Sequence, residues 1–254
     1  MRVAYACSKI GLFGVAKEYL REVELGFPLQ NKTHPEFAAF LRKKIEITLD
    51  SFEISWPLDY LNVQELLWKA DTDLVRAEEI LSNSLGRNHH QSALTKKEIA
   101  RLKLLMGFKE IAPAYDQILS ALKLLIPNVS DHLRAEFLLI RSDAEKKLGL
   151  NMAQKLSLEE AETIYRQTFG DNHSMVVFTL QKLCTAYLDL ENPQTAYKYF
   201  KASEKACGVL KTNLREQLDN CHSDFLKNYN INTHPIVKGQ QLLVKRVARN
   251  HGAW

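Results

Sequence analysis

Glycine and proline are scarce here, ten and seven in 254 residues. All-β folds need many tight turns, so this scarcity disfavours a sandwich or barrel and favours helices. Cysteine is scarcer still. Cys7, Cys184, Cys207 and Cys221 form no Cys-x-x-Cys pair and match no usual zinc spacing. They read as small buried apolar residues in a reducing compartment. No run of about 18 apolar residues occurs, so no membrane-spanning helix is expected. The stretch Met1 to Lys9 is too polar for a secretory signal, and a cytoplasmic setting is the default. Gly-x-Gly-x-x-Gly, a Gly-Lys-Ser/Thr phosphate loop, a Gly-x-Ser-x-Gly elbow and His-Glu-x-x-His are all missing. Their absence disfavours the commonest nucleotide, hydrolase and zinc-protease chemistries. No cofactor, metal ligand or catalytic residue is expected.

What is present is a composition that can bury a core, 46% hydrophobic, with a net charge of +4 that is unevenly spread. From Phe225 to Trp254 there are five basic residues and no Asp or Glu, so the rest of the chain is nearly neutral. Such a body with a basic tail differs from a basic nucleic-acid-binding domain. In the tail, Leu242, Leu243, Val244 and Val247 alternate with Lys245, Arg246 and Arg249, a pattern that fits a short basic amphipathic helix. The tail (231–254) is expected to dock or stay unstructured. Contact with an acidic membrane surface or with nucleic acid phosphates is the alternative.

The strongest signal is internal repetition. Ala77, Glu78, Ile80, Gly86, Asn88 and His89 recur 84 residues later as Ala161, Glu162, Ile164, Gly170, Asn172 and His173. Leu104, Ala112 and Tyr115 recur as Leu188, Ala196 and Tyr199. A constant offset of this size implies a unit of two helix pairs, about 42 residues each. In the best copy, Val177, Leu180, Leu183, Cys184, Tyr187 and Leu188 form one apolar stripe at helical spacing. Pro193 stops that helix and suits the first turn of the next, which carries Ala196, Tyr199 and Phe200. A turn this short makes the two helices antiparallel. Gly86 and Gly170 fall where a helix should stop. Asn88 and the pair Asp171-Asn172 then offer side-chain oxygens to the next helix. His89 and His173 sit at the same joint and are expected to hydrogen-bond at the helix start.

Leu180, Leu183, Tyr187, Ala196 and Phe200, with Cys184 in the small-residue position, resemble the tetratricopeptide (TPR) signature. The Gly-x-Asn-His joint and the spacing are similar to the repeats of kinesin light chain. The Pro that usually follows the His in that family is absent at His89-His90 and His173-Ser174, and His34-Pro35 and His234-Pro235 keep the dipeptide without the Gly. A further copy is suggested by Ala4, Cys7, Gly11, Ala16 and Leu20. The resemblance implies an all-α, right-handed superhelical solenoid of about five antiparallel helix pairs over residues 1–230. Pairs are expected near 2–26, 58–86, 91–126, 132–170 and 174–209, with a closing helix at 210–230. A helix from His34 to about Asp50 has no evident partner, and Asn151 to Ser157 reads as a lengthened turn. Val3 begins a repeat with no polar cap before it, which suggests a longer parent protein or a covered first helix.

The TPR resemblance also implies a function: a non-catalytic scaffold or adaptor that holds a protein or peptide in a concave groove lined by the first helix of each pair. By that template Lys97, Arg101, Gln181 and Thr185 look into the groove, and the two cations suit an acidic peptide. The Lys/Asn/Arg clamp of chaperone-binding members is not matched in full. Tyr187, Tyr199, Tyr197 and Phe178 read as core, as does Trp56 before Pro57. An alternative is a helical domain of a larger enzyme, because Gly170 to Ser174 also resembles joints in the helical repeats of SET-type methyltransferases.

Overall fold

The computed structural model describes residues 2–9, 12–28, 32–54, 60–125 and 131–208. Met1–Ser203 form one compact unit, and a second unit begins at Glu204. The expected closing helix at 210–230, the basic residues Lys245, Arg246 and Arg249, and Trp56 lie outside the described residues.

Every described element is helical. Helices α1 (Arg2–Lys9) and α2 (Phe13–Gly26) form the first pair. The second is α3 (Pro35–Ile54) with α4 (Tyr60–Leu85), and the third α5 (His90–Met106) with α6 (Ile111–Leu124). Then follow α7 (Asp131–Lys147) with α8 (Asn151–Phe169), and α9 (Ser174–Asp189) with α10, residues 193–208. Of the apolar stripe expected in α9, Val177, Leu180 and Leu183 are buried and Cys184 and Tyr187 half-buried, but Leu188 is exposed, and Val176 and Ala186 complete the buried face. It packs on Leu158, Ala161 and Tyr165 of α8, so the core cluster spans neighbouring pairs. Burial shared between pairs in this way is the energetic logic of a stacked repeat.

Two expected helix boundaries are corrected. Residues 58–86 do not form a pair: from Tyr60 the chain is one helix of 26 residues. Its partner is α3, the helix that has none by sequence, through Ile45, Leu49, Val63, Leu67, Ala70 and Leu74. Buried residues run along α4 from Val63 to Leu81, and this continuous contact holds a helix that the repeat period would divide. Nor is there a lengthened turn at Asn151 to Ser157. The turn is Leu148 to Leu150, with Gly149 at φ +74°, and residues 151–157 are the first two turns of α8. Gln154 and Ser157 look polar in sequence, yet both are buried.

Gly86 and Gly170 end α4 and α8 at φ +88° and +83°, the left-handed region that Gly enters without Cβ strain. The following helices are capped by histidine, not by Asn88 or Asn172. The Nδ1 atoms of His89 and His173 accept from the backbone N–H of Gln91 (3.3 Å) and Met175 (3.2 Å). Nδ1 of His34 does the same for Glu36 at the start of α3. This geometry needs the ring proton on Nε2.

Candidate functional site

Within Met1–Ser203 the first helices form a layer: α1 contacts α3, α3 contacts α5, and α5 contacts α7. Ion pairs join α7 to α9, Asp143 with Lys182 and Asp189 with Lys146 at 3.3 Å. The seams between these helices carry charge.

The centre of that charge is Glu98 on α5, with no exposed surface. One carboxylate oxygen accepts from Arg101 Nη1 at 3.1 Å, and the other lies 3.2 Å from Lys97 Nζ, an ion contact without hydrogen-bond alignment. Lys97 is 7% exposed and donates to Glu136 of α7 at 2.9 Å. Arg101 donates through Nη2 to Asp50 of α3 at 2.9 Å. Arg42 of α3 reaches Gln91 of α5 at 3.2 Å. Burial alone would raise the pKa of Glu98, but Lys97, Arg101 and Arg42 outweigh it and hold the carboxyl below its usual range. Burial alone would likewise lower Lys97. Glu98, Glu136 and Glu46 overcome that and hold the ammonium above its usual range. A second buried carboxylate, Glu145 of α7, accepts from Arg141 Nε (2.7 Å), Ser157 Oγ (2.7 Å) and the Tyr115 hydroxyl (3.4 Å), and so joins α6, α7 and α8.

The four residues assigned to the groove by template therefore divide. Lys97 and Arg101 are taken up by carboxylates of their own chain, and their charges are already opposed. Gln181 and Thr185, at the equivalent positions of α9, are exposed, with the Thr185 hydroxyl donating to the Lys182 carbonyl at 2.8 Å. On the same face of α9, Phe178 is 45% and Leu188 54% exposed, and Lys182 Nζ sits 5.1 Å from the centre of the Phe178 ring. The expectation that Phe178 and Tyr197 belong to the core is corrected, because both are exposed. Tyr187 and Tyr199 do stack, at 5.2 Å, with the Tyr187 hydroxyl on Glu159 at 2.6 Å.

The charged cluster around Glu98 is not legible in the sequence. Lys97, Glu98 and Arg101 are spaced so that a carboxylate meets a cation one helical turn on. The other partners are remote: Asp50 is 51 residues from Arg101, and Glu136 is 39 residues from Lys97. Among the described residues no group of three His, Cys, Asp or Glu side chains could hold a metal ion, and no helix is long and apolar enough to cross a membrane. Cys7, Cys184 and Cys207 are unpaired and half-buried, more open than expected.

No protein-family model and no curated protein matches the sequence. Solved structures of nearly identical TPR-like repeats assigned to a kinesin light chain of Podosopora anserina are similar in fold. One superposes with a TM-score of 0.57 at 14% identity, over 82% of this chain and 93% of that one. A variant of the same repeats gives 0.59 at 14% identity, over 83% and 94%. The chain thus has an all-α, TPR-like solenoid fold, as the sequence resemblance implied.

Proposed function

We propose that this chain is a non-catalytic protein-binding scaffold whose partner lies along the layer of first helices, over Lys97, Arg101, Gln181 and Thr185. The observation that carries the reading is the exposed face of α9. Phe178, Gln181, Thr185 and Leu188 follow one another at three- and four-residue steps, which places them on a single side of the helix. Two large apolar side chains flanked by an amide and a hydroxyl are the mixture that anchors and orients a peptide. Lys97 and Arg101 serve this surface as its floor, holding α3, α5 and α7 in register. An acidic peptide gains little from them, because each already faces a carboxylate. The TPR-like fold supports protein binding as the class of activity, and the partner is to be identified by experiment.

A photo-crosslinking residue placed at Thr185, with a control at Glu79 on the exposed side of α4, tests this in cell extract. A discrete adduct from position 185 that is lost on Gln181→Arg, with helicity unchanged, is the expected result. The same adducts from both positions, or persistence after Gln181→Arg, would place binding elsewhere.

A further inference from the structure

A groove of about 250 Å³ opens between the second helices α2 and α4, floored by α3. It lies where this joint mixes charge with its apolar contacts. At the joint of α8 with α9, apolar side chains meet on both sides, Leu158 and Tyr165 against Val176 and Leu180. At the joint of α2 with α3, α2 presents Lys17, Arg21 and Glu24 beside its Leu20, and α3 presents Lys44 and Thr48 beside Ile45. Lys44 is satisfied: it bonds Glu24 (3.1 Å) and Asp73 (3.0 Å), which links all three helices beneath the groove. Those are also the acids that line the groove, and both are consumed. Lys17, Arg21 and Lys69 line it too and have no carboxylate partner among the described residues. Between these cations the wall is apolar, through Leu20, Ile45, Leu66 and Ala70, and Leu66 is 39% exposed.

The geometry points to a second docking site: the groove takes the apolar side chains of an acidic amphipathic segment of a partner protein, whose flanking carboxylates pair with Lys17, Arg21 and Lys69. Charge complementarity selects that occupant. Unanswered cations on both walls call for acids on both edges of the guest, and the apolar floor calls for Leu- or Phe-like residues between them. Small-molecule sites usually span about 300–1,000 Å³, so this volume suits one or two side chains more than a cofactor. The site is separate from α9 and does not depend on the reading of that face.

The test uses the full chain and a fluorescein-labelled helical peptide of about four turns, with Leu every third or fourth residue and Glu on both flanks. Binding is read by anisotropy. Two further peptides serve as controls, one of the same composition with the apolar stripe scrambled and one with Lys in place of Glu. The expected result is that only the first binds. The triple variant Lys17→Glu/Arg21→Glu/Lys69→Glu should weaken it by about tenfold, as three exposed ion pairs of ordinary strength imply. Lys109→Glu, an exposed cation outside the groove, should leave binding unchanged, as should Gln181→Arg. Equal binding of the scrambled peptide, an equal loss from Lys109→Glu, no binding of the acidic peptide at millimolar concentration, or binding of anionic lipid vesicles in its place would each overturn the proposal. Circular dichroism of the triple variant guards against misfolding. Because all three cations are exposed at the surface, an intact spectrum is expected, and Leu66→Glu provides a second route to blocking the groove.

Discussion

At the scale of single residues, two buried carboxylates specify how helices meet. Glu98 is surrounded by cations on its own helix and on α3, so removing its charge leaves Lys97 to Glu136 and Arg101 to Asp50. Glu98→Gln is expected to cost about 1.5–3 kcal/mol, the usual worth of a hydrogen bond to a charged group. Chemical denaturation against pH checks the cause. The folded value of Glu98 lies below its unfolded value, so its contribution is present above the ordinary carboxylate range of about 4.3 and is lost as pH falls through the folded value. Lys97 behaves oppositely: its folded value is raised, so its contribution holds below about 10.4 and is lost as pH rises through the folded value. The difference between wild type and Glu98→Gln should therefore be greatest between these limits and shrink in acid. A difference that stayed constant down to about pH 3, below the ordinary carboxylate range, would mean that packing, not charge, is lost. The capping histidines make a smaller and more local claim. His173→Ala should destabilise by about 1 kcal/mol while His173→Asn, which retains an acceptor, should lose less, as measured by thermal unfolding.

At the scale of elements, legibility follows the turns. Gly86, Gly170 and Pro193 are local devices, and the boundaries they mark agree with the helices that form. Where a boundary depends on partners distant in sequence, the chain alone misleads. The repeat period divides the 26-residue α4, whereas contacts with α3 and α5 hold it as one rod. Asn151, Gln154 and Ser157 are polar enough to suggest a turn, but Ser157 is buried to donate to Glu145. Helix α5 shows the reverse. Lys96, Lys97, Glu98, Arg101 and Lys103 give it the look of a solvated face, and yet Lys97 and Glu98 are buried among α3 and α7. The candidate site shows the same effect. A template aligns Lys97 with Gln181, but only packing tells that one is enclosed and the other open.

At the scale of the whole solenoid, each pair contacts mainly its neighbours, so stability is a sum of local terms and need not be uniform. The α1–α2 pair packs on α3 through a few small contacts, Ala4, Ala16 and Leu20, beside the polar groove, and α2 buries only Ala16 and Leu20. Amides of α1 and α2 are expected to exchange with deuterium well before those of α5, which is enclosed on several sides. Equal protection in exchange measured by mass spectrometry would show that the solenoid opens as one unit.

The all-helical class, the repeat and the helix stops were set by the sequence alone, because hydrophobic period, Gly and Pro act within a few residues of themselves. The pairing of α3 with α4, the burial of Lys97 and Glu98, and the exposure of Phe178 were decided by tertiary structure. Each depends on which side chain from a distant helix arrives opposite, and a charge or an aromatic ring carries no mark in the sequence of whether it will meet a partner or water.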